Sequence, residues 1–397
     1  MTSHKQLTAS QLADMLDVHP VTLALYLRQG ILAPVAVTEH DISLYPPITL
    51  ENLVRTAPPV NVTCEPPLRS ALTALNDAGV PHYRGHDVRQ LATDQTFEAV
   101  ASLLWQDDLV GGQALFDREL PISAQHYETM LLHAEIDGAQ LSPLQELLTV
   151  LPAIASDDLD RHARDLPQLS LVGAHLLRLL ASVVAGDVPD NLPIAEMLRL
   201  GWDVKSPHAS DVFNSALILS ADHTSDATTL AVRVTASTDA DLYAVVMSGL
   251  LAVDNRGFTA MEVLFDVLTL HGALDALLDD VERHQLDLPG FVPRAEADAR
   301  ASILWQVLSA HFSQYPQWDG VQALLEQAQA RLNLVPTLPL MLVATEYILL
   351  LPKDSARVLF GLGRTAGWIA HAIEQYGQPQ RLSVQMDYSG RAPHTNS

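Results

Sequence analysis

One cysteine, Cys64, stands in 397 residues. That excludes a disulfide framework and a cysteine-rich zinc site, and it fits a reducing compartment such as the cytoplasm. Positive charge is scarce as well. Lysine and arginine number 23 against 47 aspartates and glutamates, a net charge of −24, which repels nucleic acid and anionic membranes unless a local basic patch overrides it. No apolar run reaches the roughly 18 residues of a membrane span, so none is expected. Met1-Thr2-Ser3-His4-Lys5 leads into an amphipathic helix without an apolar signal core. There is no glycine-rich phosphate loop, no nucleophile elbow, no fixed-period repeat, and no histidine spacing typical of metal ligands.

What is present is apolar and helical. Apolar residues make up 48% and charged residues 18%, the balance of a compact protein with one large core, or two lobes and a small appendage. From about residue 68 the leucine-rich runs follow helical spacing and break at Gly, Pro or Asp-Asp, so the chain reads as mainly α. Thr96 is placed to cap a helix whose Phe97, Val100, Ala101 and Leu104 share one face, with Glu98 in the first turn. Pro352-Lys353-Asp354-Ser355 opens a second helix that runs to Gly377 and Pro379. It carries Gly361, Gly363, Ala366, Gly367 and Ala370 on one stretch, small residues that let another backbone come close.

Residues 1–57 form a separate unit. Thr8 or Ser10 caps a helix with Leu12, Met15 and Leu16 on one face; Asp17-Val18-His19-Pro20 breaks it, and Pro20 starts a second helix that Gly30 stops. This resembles the helix-turn-helix of MerR-type regulators. A DNA reading needs cations on the second helix, and only Arg28 qualifies between Pro20 and Gly30. A packing or dimerisation appendage is the favoured reading, with DNA disfavoured by charge. Residues 57–67, with four prolines, read as the connection to a second unit spanning 58–397.

Within that unit the motifs occur in a telling order: Arg84-Gly85-His86-Asp87-Val88, then Ala221-Asp222-His223, then Ala236-Ser237-Thr238, and last Gly363-Arg364-Thr365-Ala366-Gly367-Trp368-Ile369-Ala370-His371. Together they resemble the citrate synthase family over roughly residues 68–390. The resemblance implies a mainly α fold with a large and a small lobe (the small one about 257–355), a homodimer, oxaloacetate or a similar dicarboxylate as ligand, acetyl-CoA as co-substrate and no resident cofactor. It also implies ligand-holding roles for His223, Arg300 and Arg364. A further family arginine near the C-terminus has no clear partner, with Gln385 or Asp387 standing about there.

The positions that the resemblance assigns to proton transfer read differently. Condensing acetyl-CoA with oxaloacetate needs a carboxylate base and two histidines to hold the enol and ketone oxygens. Here those positions hold Thr337, Arg256 and Val292. His271, His284 and His311 lie near in sequence but lack the surrounding motif. The retained residues also have plainer readings, His223 as a satisfied buried histidine, Arg300 as a surface ion pair and Arg364 as a buried arginine facing an anion, and so does the replacement Arg256, as an exposed loop residue. From sequence the first expectation is a catalytically degenerate homologue that binds a small anion or a partner. The alternatives are an active acyltransferase of the citrate synthase type and a metabolite-sensing transcription regulator.

Overall fold

The structure is a computed structural model; it describes residues 6–28, 32–38, 41–54, 68–117, 141–186, 191–223, 226–270, 272–378, 381–382 and 390. The proposed connection at 57–67, along with Gly30, His271, Gln385 and Asp387, lies outside the described residues.

A small unit comes first. Strands β1 (Leu7–Thr8), β2 (Ala36–Val37) and β3 (Ser43–Tyr45) form a sheet in the order β1-β3-β2, and helices α1 (Ala9–Leu16) and α2 (Pro20–Arg28) lie between β1 and β2 in the chain. Thr8 caps α1 through a reciprocal capping box with Gln11, and Asp17 ends it in the left-handed region. Helix α3 (Leu50–Val54) follows.

The large body begins with β4 (Thr73–Leu75), β5 (Pro81–Tyr83) and β6 (His86–Asp87), an antiparallel meander. Arg84 and Gly85 both have positive φ, 48° and 85°, the pair of values a two-residue type I′ hairpin requires. Asp87 then caps α4 (Val88–Asp94), and Thr96 caps α5 (Phe97–Gln106) as expected. There follow α6 (Gly112–Phe116), α7 (Pro143–Asp157), α8 (Leu166–Ala185), α9 (Ile194–Gly201), α10 (His208–Ser220), α11 (Ala227–Ser237) and α12 (Leu242–Leu251). Next come α13 (Asn255–Leu268), α14 (Ala273–His284), β7 (Phe291–Pro293), α15 (Ala299–Phe312), α16 (Trp318–Leu332), β8 (Leu334–Pro336), α17 (Leu338–Leu349) and α18 (Ser355–Tyr376).

Helix α18 is the axis of the core. It packs against α5, α8, α10, α11, α12 and α17, and from Ser355 to Ala372 nearly every side chain is buried. Its small residues serve close approach: a methyl group on Gly363 would stand 2.6 Å from the carbonyl oxygen of Leu217 on α10, and one on Gly367 would overlap the carbonyl of Ala221. Helix α8 corrects the expectation about apolar runs. It is long and apolar enough by length and composition to cross a membrane, but 78% of that stretch is buried inside the protein, the mark of a core helix.

The N-terminal helices dock on the body through α2. Leu23, Leu25 and Tyr26 are buried, and α2 packs against α13 and α14. Asp280 of α14 accepts from the His19 backbone N–H at 2.6 Å and the Thr22 hydroxyl at 2.7 Å. Arg28, the lone cation available to the disfavoured DNA reading, pairs with Asp266 of the same chain at 3.2 Å.

Candidate functional site

Three local designs bring the sequence-predicted site residues into one region. Tyr83, placed by the hairpin, is fully buried and its hydroxyl lies 2.9 Å from the Asp222 carbonyl and 3.1 Å from that of Ile218. This fixes the C-terminal end of α10, where Ala221-Asp222-His223 leaves the helix. Arg364 reaches the same place from α18, and Arg300 from the first turn of α15.

Arg364 is 1% exposed and held by internal groups through its two terminal nitrogens, while its buried Nε has no hydrogen-bond partner. Its Nη1 pairs with Asp222 at 3.0 Å; its Nη2 pairs with Asp226 and donates to Thr229 Oγ1 at 2.8 Å and to the His223 carbonyl at 3.3 Å. Asp222 accepts in addition from Thr73 Oγ1 at 2.6 Å and contacts His371 Nε2 at 3.2 Å. Burial alone would raise the Asp222 carboxyl, but the Arg364 charge and the His371 bond outweigh it and hold it down at about 2. Asp226, which caps α11 through the Thr229 N–H, is lowered likewise: burial opposes ionisation and Arg364 overcomes it.

Arg300 is also buried, against the alternative of a surface ion pair. Its Nε and Nη2 grip Asp298 in a two-point bond, both at 2.9 Å, and its Nη1 points to the Leu219 carbonyl at 3.4 Å. Asp298 further accepts from the Leu338 N–H at 3.1 Å, so it joins the starts of α15 and α17.

His223 sits in the field of both arginines. Burial first, then the Arg300 and Arg364 charges, push its imidazole down to about 4, against the pull of Asp298 and Asp226. The ring is therefore neutral at pH 7, able to donate from one nitrogen and accept at the other.

A cavity of about 320 Å³ adjoins this cluster, lined by Asp226, Val253, Asp254, Phe258, Met261 and Thr337 among others. Its wall is mostly apolar, with two carboxylates. Thr337 is part of it: the residue caps α17, and its hydroxyl donates to the Gly290 carbonyl at 2.9 Å. Arg256 is not. It is exposed on the first turn of α13 and does not line the cavity, the plainer of its two readings. Val292 is half-buried in β7, paired in register with Val335 of β8. The candidate substitutes for the lost histidines lie elsewhere: His284 contacts the Asp17 carbonyl at 2.9 Å, and His311 ends α15.

His311 has neighbours that sequence spacing hid. The fold brings it against His208 and Asp211 of α10, so that three metal-ligating side chains gather where no pattern along the chain announced them.

A helical body built on one buried glycine-rich helix brings His223, Arg300 and Arg364 together around Asp226, the member of the cluster that lines the cavity. This architecture is matched among known proteins. The family described as citrate synthase, C-terminal domain, matches residues 65–383. The citrate synthase of Mycolicibacterium smegmatis is 27% identical over 78% of this chain and 88% of its own length. The 2-methylcitrate synthase 1 of Corynebacterium glutamicum is 26% identical over 78% and 88%. Among solved structures, the citrate synthase of Thermotoga maritima superposes with a TM-score of 0.67 at 21% identity, covering 82% of this chain and 94% of that one. That of Thermoplasma acidophilum, solved with carboxymethyl coenzyme A and oxaloacetate, gives 0.68 at 19%, covering 83% and 95%. This chain belongs to the citrate synthase family.

Proposed function

We propose that this protein is an acyltransferase of the citrate synthase type, working on an acyl-CoA thioester and a small 2-oxo dicarboxylic acid of the oxaloacetate class. This reverses the order of the two leading readings of the sequence. The observation that carries it is the convergence of His223, Arg300 and Arg364 around Asp226, which lines the cavity, in a chain whose relatives are named citrate synthase and 2-methylcitrate synthase. A neutral imidazole between two guanidinium groups suits an acid that bears both a carboxylate and a carbonyl oxygen.

The condensation also needs a base. Asp226 and Asp254 are the carboxylates of the cavity wall, and Asp226 is the one beside Arg364. A carboxylate held below its ordinary pKa is a weak base, so slow turnover follows from this assignment.

A second reading rests on Thr337, Val292 and Arg256, which supply neither a carboxylate nor an imidazole at the three positions the resemblance assigns to proton transfer. In that reading the protein holds the acid without turning it over. Thiol release from acetyl-CoA or propionyl-CoA with oxaloacetate, followed with a thiol reagent, separates the two. Release that requires both substrates and disappears in His223→Ala supports the acyltransferase; oxaloacetate binding in a calorimeter without release supports the second reading. The homodimer belongs to the same proposal, and the mass in solution checks it.

A further inference from the structure

We propose that His208, Asp211 and His311 form a binding site for a divalent transition metal of the zinc class, remote from the acid-holding cluster and acting on it through two helices. One ligand atom from each side chain lies within 4.8 Å of the others. The two imidazole rings stack with centroids 4.0 Å apart and planes 8° from parallel, and His208 Nδ1 stands 3.3 Å from Asp211 Oδ2.

The donors name the metal class. Two imidazoles and one carboxylate suit zinc, cobalt, nickel or copper, whereas calcium and magnesium take oxygen ligands. Metal–ligand bonds of about 2.0–2.2 Å in a tetrahedral arrangement place donors about 3.4 Å apart. Closing from 4.8 Å needs the rings to unstack, because the nitrogen lone pairs lie in the ring planes; His208 is 53% exposed and Asp211 65%, so these two have room to turn toward the half-buried His311. His208 and Asp211 are three residues apart on α10, a spacing that puts both on one face of a helix. Three protein ligands leave a fourth position for water.

The location gives the site a consequence. Helix α10 begins at His208 and ends just before Asp222 and His223; α15 begins next to Arg300 and ends just after His311. The two helices pack together, and Arg300 reaches the Leu219 carbonyl at their other end. They therefore run antiparallel, with the acid-holding residues at one end and the metal ligands about 16 Å away at the other. A metal bridging His208 and His311 clamps the very pair of helices that positions His223 and Arg300.

Titration of the full chain with Co²⁺ and Zn²⁺ tests this without reference to activity. The expected result is one Co²⁺ per chain with visible ligand-field bands, displaced by Zn²⁺, and a melting temperature that rises with Zn²⁺ concentration. His208→Ala and His311→Ala should each weaken binding by more than ~10-fold, since losing even an outer-shell partner of a ligand costs about that much. Asp211→Asn should weaken it less. Absence of saturable Co²⁺ binding overturns the proposal, and so does binding whose strength is unchanged in both histidine variants. His208 is exposed and His311 half-buried, so the folds of both variants, checked by circular dichroism, serve as the control.

Discussion

Asp222 accepts from Thr73, pairs with the Arg364 charge and contacts His371, and through Arg364 it is joined to Asp226 and Thr229. Removing its charge leaves a buried guanidinium short of a partner, so Asp222→Asn should destabilise the fold by about 3–5 kcal/mol in denaturant unfolding. The sign with pH follows from its depressed folded value. Its stabilising contribution is present above the unfolded value of 3.8 and disappears as pH falls through about 2. His223 behaves oppositely to an ion-paired histidine. Its folded pKa is below the unfolded 6.5, so protons favour the unfolded chain and stability declines as pH drops from 6.5 toward 4. The imidazole resonance of His223 should titrate near 4 by NMR; a midpoint near 6.5 would contradict the charged surroundings described. The motifs around both residues were legible because they are contiguous in sequence. What was hidden is the partner on the other side: Arg364 could be read as a buried arginine facing an anion, but not that the anions are Asp222 and Asp226, more than a hundred residues upstream.

At the scale of elements, local chemistry was a good guide wherever a cap or a break announces itself. Thr8, Thr96, Pro20 and Gly377 stand where the expected helices begin or end. Long-range packing was not legible: nothing in Thr22 or Arg28 announces that α2 lies on α13 and α14, and nothing in His208 or His311 announces their stacking. The small-residue stretch of α18 was read as a site of close approach, and Gly363 and Gly367 give that reading its atoms. Gly367→Ala would force a methyl group against the Ala221 carbonyl, a cost of about 1–3 kcal/mol or more in thermal or denaturant unfolding, since main chain yields less than a side-chain end. Glu346 on α17 couples that helix to the start of α18 by accepting from the Ala356 N–H at 2.7 Å. Burial pushes its carboxyl up to about 7. The folded state thus holds a proton that the unfolded chain releases near 4.5, and stability is lost as pH rises from 4.5 through 7. Glu346→Gln keeps an acceptor for the Ala356 bond and should raise the melting temperature at pH 8 relative to pH 5, flattening the profile of the parent protein.

For the whole molecule, the order of four short motifs was enough to identify the family, because each marks a definite place in the backbone: a type I′ hairpin, a helix end pinned by a buried tyrosine, the end of α11 at Thr238, and a glycine-rich core helix. The activity was less legible. Only the resemblance assigns Thr337 and Val292 to proton transfer, and the carboxylates that line the cavity, Asp226 and Asp254, come from segments nearly thirty residues apart. The proposed activity, joining an acyl-CoA to a 2-oxo acid, is the claim that rests on the cluster of His223, Arg300 and Arg364 and on the cavity. Thiol release from acetyl-CoA in the presence and absence of oxaloacetate, with the parent protein and with His223→Ala, measures that claim directly. The account predicts slow release that needs both substrates and is lost in the variant; no release above the protein-free blank from a folded protein, with either thioester, would contradict it.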